Sequence, residues 1–267
     1  MIDVSVVLST FRRPAELAEA ARSALNQSGA RVELLVVDDC PEASARAVVD
    51  ALNDDRIRYF RTPRPTGGRP SIVRNLAWPR ARGRFVHFLD DDDIVPEGHY
   101  RAVKAAFAAH RDVGVVFGHI EPFGQPEPEV EHERRYFAAA ARRARVCRRF
   151  GPKWGLAATM LFHQTPLVCS AALIRRQCIA PIAGFDPDLR VNEDVDFYAR
   201  AIRRFGAAFL DRVVLHRRVG PSLIRQPEVE RLFVETYARM HAHYRDRWGV
   251  ADFFALKGFA RAVQMVM

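Results

Sequence analysis

A chain of 267 residues that is 49% apolar and 27% charged is long enough to bury a sizeable core and too apolar to stay disordered. Its net charge of +9, carried mostly by arginine, suits phosphate-bearing ligands, nucleic acid or an anionic membrane face. No apolar run is long enough for a membrane span. No zinc finger or aromatic-rich RNA-binding motif accompanies the charge, so nucleic acid is not an expected partner. The first residues run straight into a strand without a signal-peptide pattern. Cys40, Cys147, Cys169 and Cys178 show neither CxxC pairing nor zinc spacing. They read as free thiols in a reducing compartment, which points to the cytoplasm.

Val4 to Leu8 is a β-branched run that predicts a buried strand. Pro14 then opens a helix with Leu17, Ala20, Ala21, Ala24 and Leu25 on one face. The turn between them holds Thr10, Arg12 and Arg13. It is not a glycine-rich dinucleotide turn; it offers a hydroxyl and two guanidiniums, either to a nucleotide or simply to water. Val32 to Val37 predicts the second strand, Ala43 to Leu52 a helix and Ile57 to Phe60 a third strand. This βαβαβ opening predicts a mostly parallel, doubly wound α/β sheet. Asp38 and Asp39 end the second strand. They suit the hydrogen-bond donors of a nucleoside, or a turn before Pro41. The Gly- and Pro-rich segment from Thr62 to Pro70 is a loop. It leads into a helix where Arg74 could grip a diphosphate with its forked guanidinium.

Val86, Phe88 and Leu89 predict a buried strand that runs into Asp90, Asp91, Asp92 and Asp93. Four adjacent carboxylates resist ionising together, so a pKa should rise unless a cation lies among them. Their oxygens suit Mg²⁺ or Mn²⁺. The competing reading is an acidic cap on a helix beginning near Pro96. That helix would turn Tyr100, Val103 and Phe107 to one side. After a strand at Val113 to Phe117, the prolines and glutamates of 121–133 predict a mobile excursion beside the site. Arg134 to Arg149 predicts a basic helix with an apolar stripe, which fits an anionic membrane or an ordinary packed helix with a solvated face.

Leu167 to Ile174 predicts a strand, and the stretch from Gly184 to Arg190 a turn. Asn192 is a candidate N-cap for a helix with Val195, Tyr198, Ile202 and Phe205 inward. Glu193, Asp194 and Asp196 fall in its first turn, where the dipole favours ionised carboxylates. Val213 to Val219 predicts a strand carrying His216, followed by Pro221 and Ser222. Two long helices close the chain.

Taken together these stretches resemble the family 2 inverting glycosyltransferases of the GT-A fold. The similarity runs through Thr10 and Arg12 in the opening loop, Asp38 and Asp39, Gly68 with Arg74 and Asn75, the aspartates 90–93, Gly184 to Asp186 followed by Asn192 to Asp194, and His216 with Ser222. Ala77 stands where the family's helix motif usually has glycine, and Asp91 where its metal motif usually has serine or alanine.

The resemblance implies a GT-A domain over 1–225 and a helical extension over 226–267. It implies inverting, hexosyltransferase-type transfer from a nucleotide diphosphate-sugar, UDP- or dTDP-linked, to a hydroxyl of a glycan or lipid-linked glycan. Thr10, Arg12, Asp38, Asp39, Arg74, Asp90 and Asp91 would hold the donor. Asp92, with Asp93 and His216, would hold Mn²⁺ or Mg²⁺. Asp194 would be the base, with Glu193 in reserve. The location would be cytoplasmic with peripheral contact at the inner membrane face. The alternative is a basic membrane- or nucleic-acid-binding protein on the same scaffold, without transferase activity.

Overall fold

The computed structural model describes residues 1–163, 165–220 and 227–266. Pro221 and Ser222 lie outside the described residues. Seven strands form one sheet in the order β3-β2-β1-β4-β6-β5-β7. They are β1 (Val4–Thr10), β2 (Val32–Asp38), β3 (Ile57–Arg61), β4 (Phe85–Asp90), β5 (Val115–Gly124), β6 (Ala172–Arg175) and β7 (Ala207–Val219). All neighbours are parallel except β6, which runs antiparallel between β4 and β5. The mostly parallel α/β expectation therefore holds. Its cause is the apolar content of the strands: every residue of β2 is buried, as a parallel strand covered on both faces requires.

Helices α1 (Pro14–Leu25), α2 (Arg46–Leu52), α3 (Pro70–Ala77) and α4 (His99–Ala109) connect the first half. The α1 face named above, from Leu17 to Leu25, is wholly buried. Two starts differ from expectation. Ala43 sits at φ 55, so α2 begins later, at Arg46. Gly98 at φ 70 delays α4 from Pro96 to His99, because a left-handed residue cannot continue a helix.

The excursion expected at 121–133 is ordered structure instead. Glu121 to Gly124 completes β5 beside β7. Helix α5 (Glu127–Cys147) starts directly after Pro126. Prolines are tolerated in a first helical turn, where their missing N–H has no partner to lose. The basic helix is thus seven residues longer at its N-terminus than its arginines suggested, and several of those arginines are paired. Arg134 meets Glu121 and Glu131, and Arg145 meets Asp211.

The strand expected from Leu167 shrinks to β6, because Cys169–Ala171 form a single 3-10 turn. Helices α6 (Leu156–Phe162), α7 (Glu193–Phe205), α8 (Pro227–Trp248) and α9 (Val250–Val266) complete the fold. Met240, Tyr244, Phe253, Leu256 and Ala260 join the same core as the sheet. All four cysteines are buried and free. Among the described residues no helix is long and apolar enough to cross a membrane.

Candidate active site

The carboxyl ends of the parallel strands gather the acidic residues. Register places Thr10 opposite Asp38 on β2, and Ser9 opposite Asp90 on β4. This edge is where an open α/β sheet binds ligands. Helix α7 brings its N-terminus to the same place. Arg74 of α3 joins the parts: one guanidinium nitrogen donates to Asp90 Oδ1 at 2.8 Å and another to Glu193 Oε1 at 2.6 Å. Arg74 is 4% exposed. Its fork, expected from sequence to grip a diphosphate, is engaged with two carboxylates in this structure. Beside it Asn75 clamps the next turn, accepting from Phe185 N and donating to Phe185 O. Gly184 needs its φ of +67 there, and a Cβ would stand 2.6 Å from Asn75 Oδ1.

The four aspartates alternate. The side chains of Asp90 and Asp92 are 37% and 26% exposed. Asp91 and Asp93 are buried. Asp91 accepts from Phe11 N at 3.3 Å and Arg13 at 3.2 Å. Asp93 accepts from Arg218 N at 3.0 Å. Burial, with the neighbouring aspartates, pushes Asp91 up to about 6 and Asp93 to about 8, and raises Asp92 as well. The expected mutual resistance to ionisation is present, with desolvation the larger cause.

Among the described residues no three His, Cys, Asp or Glu side chains converge as a metal cage. Mg²⁺-type sites commonly use one or two carboxylates and complete the shell from substrate phosphates and water. Asp92 and Asp90 suit such a site by exposure and by oxygen chemistry. Asp93 does not, because it faces inward and holds the β7 backbone. His216 is tied to the aspartate loop through its backbone, which exchanges two 2.9 Å bonds with Ile94. Its imidazole is half-buried.

Asp194, beside Glu193, is pushed up to about 7 by burial and by the charges of Glu193 and Asp90, against the opposing pull of Arg74. The helix N-terminus does not keep it in the usual carboxylate range, contrary to expectation. Asn192 precedes the helix at φ 53 and its side chain makes no capping bond. Asp196 is spoken for by Arg200 at 2.6 Å.

The second-strand pair divides. Asp38 accepts from Cys40 N, Ala45 N and the Tyr59 hydroxyl at 2.9–3.0 Å. It shapes the loop into α2, the turn role weighed against the ligand role. Asp39 accepts from the Thr62 and Thr66 hydroxyls and from Thr66 N. It thereby pins the Gly/Pro-rich loop beside a cavity of about 400 Å³ lined by Cys40, Pro41, Arg61, Thr62, Pro63 and Pro65. Thr10 is buried and bonded to Asp91. Arg12 points away from the aspartates, exposed and paired with Glu42 at 2.7 Å.

Three neighbours of the site were not singled out from sequence, and a fourth, Arg13, was offered there only to a nucleotide or to water. Arg13 bridges Asp91 and Asp92; its place in the turn between β1 and α1, three residues after Thr10, was the available signal. Ser170 Oγ accepts from Asp90 N at 3.0 Å. Arg218 Nε donates to Asp92 O at 3.0 Å. Arg217 pairs with Glu133 within the field of Asp93. These last three arrive from distant segments and carry no local motif.

Comparison with known proteins agrees with this geometry. The fold matches S. aureus TarS 1-349 in complex with UDP-GlcNAc at a TM-score of 0.62, with 18% identity, over 90% of this chain and 66% of that one. It matches the mannosyltransferase PcManGT of Pyrobaculum calidifontis, in complex with GDP-Man and Mn²⁺, at a TM-score of 0.59 with 18% identity, over 98% and 75%. At such identities the likeness is one of fold. Among curated sequences, the succinoglycan biosynthesis protein ExoO of Rhizobium meliloti is 37% identical over 114 residues, 42% of this chain. The GalNAc(5)-diNAcBac-PP-undecaprenol beta-1,3-glucosyltransferase of Campylobacter jejuni is 38% identical over 100 residues, 37% of this chain. Each match spans 32% of the relative's own length, about a third. The sequence pattern of Glycosyl transferase family 2 matches residues 5–177, most of the chain. With the GT-A sheet and the acidic carboxyl edge in place, the chain belongs to glycosyltransferase family 2.

Proposed function

We propose that the protein transfers a sugar, with inversion, from a UDP- or dTDP-linked donor to a hydroxyl of a glycan or lipid-linked glycan. The observation that carries this is the Arg74 bridge. It joins the cleft-facing Asp90 to Glu193, and so sets the donor-side aspartates against the proton-accepting Asp194. An inverting displacement needs that separation, with a charge-stabilising group at the leaving phosphate and a base on the attacking hydroxyl.

Asp194 is the base. A carboxylate held near neutrality accepts a proton better than an ordinary one while remaining substantially ionised at working pH. Glu193 and Arg74 position it. Asp92, with Asp90, would hold Mn²⁺ or Mg²⁺; when bound, the ion neutralises charge developing on the departing nucleotide. PcManGT, whose complex holds GDP-Man and Mn²⁺, supports that part of the reading. Asp39 and the adjoining cavity receive the nucleoside, and UDP-GlcNAc in TarS supports a uridine donor. The undecaprenol-linked acceptor named for the Campylobacter relative supports a lipid-linked glycan and a cytoplasmic-face location. The transferase unit is assigned to 1–225 and the extension to 226–267. A basic binding protein without activity is the weaker reading, because much of the α5 charge is spent on internal ion pairs.

The test is thermal unfolding with UDP, dTDP and GDP, with and without Mn²⁺, for wild type and Asp92→Ala. Ligand at about 100 times its Kd adds ~2.7 kcal/mol of stability. The expected result is a Mn²⁺-dependent rise with UDP or dTDP that Asp92→Ala loses. Equal shifts in wild type and variant would remove Asp92 from the metal role. No shift with any nucleotide would overturn the donor reading.

A further inference from the structure

Helix α9 is apolar on both sides. Its inward face, Phe253, Leu256, Ala260 and Val263, is buried. At about 100° per residue, Val250, Phe254, Ala255, Gly258, Ala262 and Met265 fall on a continuous outward arc of about 140°, and all are exposed. Val250, Phe254 and Met265 are 57%, 59% and 81% exposed. Apolar side chains all round a helix are ordinarily a sign of burial on every side, yet among the described residues nothing covers this arc.

The charge within the arc is positive. Arg261 lies within it. Phe150, 57% exposed, meets Phe259 of α9 edge-to-face with ring centroids 4.8 Å apart, which brings Arg148 and Arg149 alongside. Those three arginines are exposed and make no ion pair among the described residues. No Asp or Glu occurs between Arg134 and Phe185. Asp252, the only acid of α9, is turned inward to Tyr244, Arg203 and Trp154.

We infer that the outer face of α9, with the Arg148–Phe150 corner, docks on an anionic lipid bilayer. The apolar arc enters the headgroup–acyl boundary and the three arginines meet lipid phosphates, the arrangement of an interfacial helix. A second copy of the chain is a poorer occupant, since a two-fold contact through this face would oppose Arg261, Arg148 and Arg149 to their own copies. The proposed membrane surface lies on α9 and the 3-10 turn that follows α5, whereas the sequence offered the Arg134 to Arg149 helix as one of two readings. The inference does not depend on the donor chemistry.

The experiment is flotation of the full chain with phosphatidylcholine vesicles and with vesicles containing roughly 30% phosphatidylglycerol, at low salt. Wild type should float with the anionic vesicles and at least about tenfold less with the neutral ones. Phe254→Asp with Met265→Asp should lower anionic-vesicle binding at least about tenfold, and Arg148→Glu with Arg149→Glu should remove the preference for anionic lipid. All these positions are exposed, so the melting temperature should stay unchanged, and the nucleotide-induced shift should stay as in wild type. Wild type that fails to float, or variants that float as well as wild type, would overturn the inference. So would a wild-type dimer in sedimentation velocity that Phe254→Asp with Met265→Asp turns into a monomer. A failed nucleotide shift with intact flotation would count against the transferase reading alone.

Discussion

Replacing Arg74 by Met tests the hinge of the site without any knowledge of the substrates. The guanidinium is 5% exposed at its side chain, against 10% for Glu193 and 37% for Asp90. Removing it leaves Glu193 charged and buried, next to an Asp194 already disfavoured by that charge. Breaking a buried pair costs about 3–5 kcal/mol. Water can reach Asp90, so only the Glu193 arm counts fully, and the expected loss is about 3 kcal/mol. For a chain of this size that is a fall in Tm of roughly 6–12 °C. Glu193→Gln alone should cost less, since Arg74 keeps Asp90. The double variant should recover part of the loss, with a coupling energy of about 1.5 kcal/mol or more. Urea denaturation of the four proteins at neutral pH gives the cycle. A loss below about 1 kcal/mol for Arg74→Met, or additive single effects, would refute the claim that this bridge holds the two halves of the site together.

Asp194→Asn should lower turnover by about 10²–10⁴-fold with nucleotide binding unchanged, followed as release of nucleoside diphosphate. With Asp194 at about 7, the wild-type rate should climb about tenfold per pH unit below that value and level off above it. A flat profile from mildly acidic to mildly basic pH would contradict the assignment. The folded carboxyl holds its proton more tightly than the unfolded one, whose value is near 3.8. Its contribution to stability therefore falls as pH rises from about 4 to about 7, and Asp194→Asn should flatten that part of the stability curve. Gly184→Ala should destabilise by about 1–3 kcal/mol, because φ is +67 and the new Cβ would press on Asn75 Oδ1; denaturant midpoints measure it, and a neutral result would mean that the turn relaxes.

The α/β class and most elements of the first half were legible because their causes are local. β2 is a run of apolar residues bounded by turns, and α1 carries its buried face at helical spacing. The errors share a physical origin. The segment 121–133 looked like loop from its prolines, yet β5 continues because β7 offers it a partner, and α5 begins because a first turn tolerates proline. Leu167 to Ala171 looked like strand from its apolarity, but a 3-10 turn there delivers Ser170 to Asp90.

At the site, the order of acidic motifs along the chain determined which carboxylates belong to it, since strand ends of a parallel sheet meet at one edge whatever lies between them. Which way each carboxylate faces was a matter for the tertiary structure alone. Asp91 and Asp93 turn inward because Phe11, Arg13 and Arg218 donate to them there. Asp38 closes a loop because Tyr59 and Ala45 reach it. Arg74 serves Asp90 and Glu193, residues 16 and 119 positions away. Residue type and spacing record what a side chain can do. Its partners across long separations decide what remains free to do it.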